Sequence, residues 1–208
     1  MSKDLSYTIV LLLLACLFWY AAFVLDYGNF WLKLPAAVAF LAVLAVLVTD
    51  GAVLRSMEAS IGSLFRGVAS ALVLYLIFLI GNALLRFLFV GAGQNIATVY
   101  QNREHLSLPL IALLLFFVSS PGEEIFWRGF VQRNLQRFLG PIWGMIAAVF
   151  CYAAVHLLTG NPVLVLAALV AGLYWGLLYH YEGNLFTVIV SHALWTLLIF
   201  VLFPVGAG

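Results

Sequence analysis

Seven long apolar runs constrain this chain more than anything else in it. They cover 6–25, 34–54, 67–90, 107–127, 141–158, 162–180 and 185–205, and a helix needs about 17–25 such residues to cross a bilayer. Between them lie D-Y-G-N, T-D-G, G-A-G-Q-N, L-G-P, T-G-N-P and E-G-N, all turn chemistry. The runs do not alternate with period two, which argues against a membrane barrel and leaves helices. Only 8% of the residues are charged and 66% are hydrophobic, against about 25% charged in soluble domains. A polar coat is out of reach. The expected fold is all-α: a polytopic transmembrane helix bundle of seven or eight spans, making one integral membrane domain over 1–208.

A net charge of +1 with no basic cluster offers nothing to nucleic acid. Cys16 and Cys151 both lie inside apolar runs, where they act as small hydrophobes. L-L-A-C ending at Cys16 looks like a lipoprotein cleavage site, but the apolar run continues past it, so it reads as a first span and not a signal peptide. Loop charges orient the bundle. With the N-terminus inside, the inner side holds Lys3, Arg55, Arg66, Arg133 and Arg137, while Lys33 and Arg103 lie outside and Arg86 near the outer end of the third span.

Ionisable groups at bilayer depth are costly and usually functional. Those here are Glu123, Glu124, Arg128, His156 and His192. Asp26, Asp50, Glu58, Arg103, Glu104, His105, His180 and Glu182 fall at span ends or in loops and read as solvated. Neighbouring helical residues point about 100° apart, so Glu123 and Glu124 face different surroundings. Glu124 and Arg128 are four apart on one face and form a structural ion pair, which leaves Glu123 free for chemistry. Tyr152 lies one turn before His156 and Thr196 one turn after His192, so each imidazole has a hydroxyl at hand. Alone, either His is a packing residue with a satisfied hydrogen bond. Together with Glu123, on three spans of so apolar a chain, they read as one polar cavity.

A glutamate can take a proton from water while one imidazole holds that water, and a second imidazole with a neighbouring donor can stabilise an oxyanion. The reaction class this suits is peptide-bond hydrolysis within the membrane. H-E-x-x-H and G-x-S-G are both missing, and Asp4, Asp26 and Asp50 sit at span ends where no buried dyad can form.

E-E-I-F-W-R at Glu123–Arg128, Y-A-A-V-H at Tyr152–His156 and H-A-L-W-T at His192–Thr196 resemble, in order, the E-E-x-x-x-R, F-x-x-x-H and H-x-x-x-N motifs of the CAAX prenyl protease and bacteriocin-processing (CPBP, or Abi) family. The resemblance implies a glutamic-type intramembrane endopeptidase with N-terminal spans in 1–106 and catalytic core spans in 107–205. It implies that Glu123 and His156 activate water, that His192 and residue 196 form the oxyanion hole, and that Glu124 and Arg128 stabilise the site. Tyr152 stands where the motif has Phe, and Thr196 stands where it has Asn. The expected cofactor is none. Two readings stand beside this one: a zinc-dependent membrane protease using the same Glu and two His, and a catalytically silent scaffold or bacteriocin-immunity protein, which the Thr196 departure keeps open. Partners are the lipid bilayer and a membrane-embedded or lipid-modified peptide: a prenylated C-terminus, a bacteriocin leader or a C-terminal sorting helix. The expected location is a bacterial or archaeal plasma membrane, with the site toward the cytoplasm.

Straight-helix arithmetic, at about 1.5 Å per residue, places Glu123 and His192 at matching depth but His156 roughly 12 Å too high. Either the fifth span begins inside the cytoplasm, or tilt and the Pro121–Gly122 break shift the levels.

Overall fold

The computed structural model describes residues 3–89 and 91–206, and among these every regular element is helical. The helices are α1 (Lys3–Phe23), α2 (Phe30–Val48), α3 (Ile61–Leu88), α4 (Ala92–Gln101), α5 (Leu108–Leu139), α6 (Pro141–Leu157), α7 (Pro162–Glu182) and α8 (Leu185–Leu202). Six of them, α1, α2, α3, α5, α7 and α8, are long and apolar enough to cross a membrane, and α6 is a shorter apolar helix. With α6 the count is the expected seven. Large apolar side chains stand exposed along the outside, Ile61 and Phe87 almost completely, as a surface solvated by lipid tails requires.

The turn residues between runs become helix caps. Asn29, Asn161 and Asn184 each accept from backbone N–H groups at the start of α2, α7 and α8, and Ser60 and Ser63 form a reciprocal capping box at the start of α3. Those N–H groups have no intrahelical partner, so such caps satisfy them. Cys16 and Cys151 are free thiols.

Two sequence expectations need correction. G-A-G-Q-N is more than a turn: Gly91 turns with φ +91°, but Ala92–Gln101 is a helix. Ala92 and Ile96, four apart, are its buried face, and Asn161 Nδ2 donates to Asn95 O at 2.8 Å to tie it to the start of α7. Ten residues cannot span a bilayer, and a hydropathy count does not register such a helix.

The second correction removes the depth conflict. The fourth span does not stop at 127 but runs on to Leu139, where Gly140 at φ +86° reverses the chain into α6. From Gly140, Glu123 lies 17 residues back and His156 lies 16 residues on. They are therefore about 26 Å and about 24 Å from the turn at helical rise. The fourth and fifth spans thus meet well beyond the position that the hydropathy boundaries gave, and the mismatch in level between Glu123 and His156 disappears.

The basic residues assigned to the inner face gather at one end of the bundle. Arg137 meets Asp4 at 3.9 Å, Arg133 Nη1 donates to Ala52 O at 2.7 Å, and Arg66 meets Glu182 at 2.6 Å. At the other end, Asn29 Nδ2 donates to His105 O at 2.8 Å and Trp31 Nε1 to Asn102 O at 2.7 Å. One apolar core joins α1, α2, α5 and α6 through Leu11, Trp19, Leu41, Phe126, Trp127 and Val155, and a second joins α3, α7 and α8 through Leu74, Trp175, Leu185 and Val188. Glu124, Arg128 and Gln132 of α5 bridge from the first cluster toward α7 and α8 by hydrogen bonds to His192, Gly172 O and Gly176 O.

Candidate active site

The site is built on a helix that is not regular. Pro121 has no N–H, and a proline ring crowds the carbonyl four residues earlier. The chain accommodates it by widening: Leu115–Ser119 is a π-turn, and Ser120 N–H reaches back five residues to Leu115 O. A second π stretch, Ile125–Gln132, follows the glutamates and carries Arg128. Such widenings recur at functional sites because they re-aim side chains that a regular helix would point elsewhere. Gly122 lets α2 approach, since a Cβ there would lie 2.6 Å from Val38 Cγ1.

Glu124 is fully buried. Its Oε1 accepts from Arg128 Nη1 at 3.0 Å and bonds His192 Nδ1 at 2.6 Å. An ionised carboxylate only accepts, so this bond puts a proton on Nδ1 and leaves Nε2 as the ring atom free for chemistry. The ring lies flat on Trp175, with centroids 3.8 Å apart and planes 21° apart. Trp175 is held in turn by donating Nε1–H to Ser191 Oγ at 3.2 Å. The Arg128 guanidinium sits over the Tyr152 ring at 4.8 Å and the Trp175 ring at 5.5 Å, and Nη2 donates to Gly172 O at 3.3 Å. Glu124 Oε2 has no partner among the described residues. The expected ion pair is present, and Glu124 also orients His192, which spacing along one helix could not reveal.

Glu123 faces another way. Its Oε2 accepts from the Tyr152 hydroxyl at 3.0 Å. His156 donates or accepts at both ring nitrogens: Trp19 Nε1 donates to Nε2 at 3.3 Å, so Nδ1 carries the ring proton of the neutral form and donates to Tyr152 O at 2.8 Å. No hydrogen bond among the described residues joins Glu123 directly to His156 or to His192; Tyr152 is the link to the former, its ring 5.1 Å from the imidazole. Thr196 Oγ1 donates to His192 O at 2.8 Å and lies 3.5 Å from Ser120 Oγ. Of the two hydroxyls one turn from the imidazoles, Tyr152 joins the polar site by holding the Glu123 carboxylate, and Thr196 bonds the His192 carbonyl.

Sequence reasoning missed Trp19, Trp175 and Ser120. A buried tryptophan usually finds a partner for its N–H, and that signal was present for Trp19 and Trp175, although Trp127 and Trp195 have none among the described residues. Among the described residues no three His, Cys, Asp or Glu side chains are grouped as a metal site requires.

Residues 105–198 match a family model described as Rce1-like, type II CAAX prenyl endopeptidase. No curated protein and no solved structure matches the chain. The matched segment contains all three motifs, and the resemblance they gave is borne out: it is to the Rce1-like, CAAX-type membrane proteases.

Proposed function

We propose that this protein is a glutamic-type intramembrane endopeptidase. Glu123 takes a proton from water as the water oxygen bonds to the substrate carbonyl carbon. The resulting oxyanion is met by the Nε2 edge of His192, held in place by its Nδ1 bond to Glu124. The tetrahedral carbon then expels the amide nitrogen, which leaves with the proton carried by Glu123. His156 positions the water. Its 3.3 Å contact with Trp19 is long for a nitrogen-donated bond, and is the contact that water displaces or bridges. Residue 196 borders the oxyanion. Arg128 balances the buried Glu124 charge. No metal enters these steps.

The observation that carries the reading is the division of labour between adjacent carboxylates. Glu124 is committed to Arg128 and His192, whereas Glu123 has one hydroxyl partner and lies at the depth of His156. The family name points to a prenylated C-terminal peptide as substrate. The basic residues shared by one end of the bundle support a plasma-membrane protein with that end in the cytoplasm. Proteomics of membrane peptides from cells carrying wild type or Glu123→Ala tests the function and names the substrate. Peptides ending at one cleavage site should be present only with wild type. Identical peptide sets would reject the enzyme and leave a silent scaffold.

A further inference from the structure

The weak point of the proposed site is its second oxyanion donor. Thr196 has a single hydroxyl proton, and it is spent on the His192 carbonyl at 2.8 Å. Across from it stands Ser120, buried at 1% exposure. Among the described residues the only partner of the Ser120 hydroxyl is Thr196 Oγ1 at 3.5 Å, whereas hydroxyl bonds cluster near 2.7–2.8 Å. The Ser120 proton is thus uncommitted in the resting site.

Its position follows from helix spacing. Ser120 precedes Glu123 by three residues and Glu124 by four, so it shares their side of α5. On α8, His192 and Thr196 are likewise four apart. The antiparallel helices make two rungs, Glu124 to His192 at 2.6 Å and Ser120 to Thr196 at 3.5 Å, one turn apart. The imidazole of one rung and the hydroxyl pair of the other are therefore neighbours along α8.

Resting on the proposed hydrolysis, we infer that Ser120 is a catalytic residue: its hydroxyl is the second donor to the oxyanion, in the role that Thr196 cannot fill. In the resting site Ser120 O–H leans on Thr196. As the carbonyl oxygen gains charge, the hydroxyl rotates toward it, and Thr196 keeps its backbone bond. No atom is transferred; the donor acts only on developing charge, so it raises kcat rather than lowering KM.

The test uses full-length protein in nanodiscs with a quenched-fluorescent farnesylated CAAX peptide as probe. Ser120→Ala should lower kcat by about 10²–10³-fold, as loss of one oxyanion donor does elsewhere, with KM and melting temperature unchanged. Adding Thr196→Asn to Ser120→Ala supplies an amide donor from across the site and should recover at least about tenfold, which a merely structural serine would not allow. Full kcat in Ser120→Ala beside an inactive Glu123→Ala overturns the role of Ser120 alone. So does a loss confined to KM, or a double variant no faster than the single one. Activity in Glu123→Ala overturns the reading beneath it.

Discussion

Arg128 has no route to water. Its guanidinium is fixed by Glu124, by the Gly172 carbonyl and by two aromatic faces, at 2% exposure. Removing one member of a buried pair strands the other charge, so Arg128→Ala should cost about 3–5 kcal/mol, read by denaturant unfolding in mixed micelles. Tyr152→Phe is gentler. It removes one hydrogen bond to a carboxylate and should cost about 1.5 kcal/mol of stability, well short of the Arg128→Ala loss, as unfolding in the same micelles will show. The Glu124–Arg128 pair was legible in the sequence because both partners lie on one helix at a fixed spacing. The Glu124–His192 bond was not, because it depends on which faces of α5 and α8 meet. Spacing placed the hydroxyls of Tyr152 and Thr196 one turn from the imidazoles but could not name their hydrogen-bond partners, since it says who is near and not who donates to whom.

At the scale of the element, α5 decides the site. Two π widenings flank Ser120–Glu124, and Gly122 seats that turn against α2. Gly122→Ala drives a methyl into Val38, which is itself buried; overpacking of this kind costs about 1–3 kcal/mol. Val38→Ala in the same chain should return most of that loss, as thermal unfolding of the single and double variants will show. Apolar length identified every span, but it misplaced the end of α5. The residues 128–139 that extend it are mixed in polarity, because the helix leaves the apolar slab and continues to Gly140. The Pro121–Gly122 break, read as an interruption, is instead absorbed by helix widening. A window of hydropathy sees neither effect, nor the ten-residue α4.

Across the whole molecule, the half of the chain outside the family match still reaches the site: Trp19 of α1 supplies the donor to His156 Nε2. Six long apolar helices and the shorter α6, if each crosses once, put the termini on opposite faces. In a variant with Cys16 and Cys151 changed to alanine, Arg103→Cys should react with an impermeant maleimide in intact cells and Lys3→Cys only after permeabilisation. The reverse pattern would turn the bundle over. The central claim is that one free carboxylate, at position 123, makes the nucleophile. The most direct measurement compares turnover of the farnesylated peptide by purified wild type and Glu123→Ala, each in nanodiscs with chelator present and with matched melting temperatures. Wild type should cleave the peptide with the chelator present, and the variant should show nothing above background. Comparable turnover by both would contradict that claim, as would wild-type activity that disappears with the chelator.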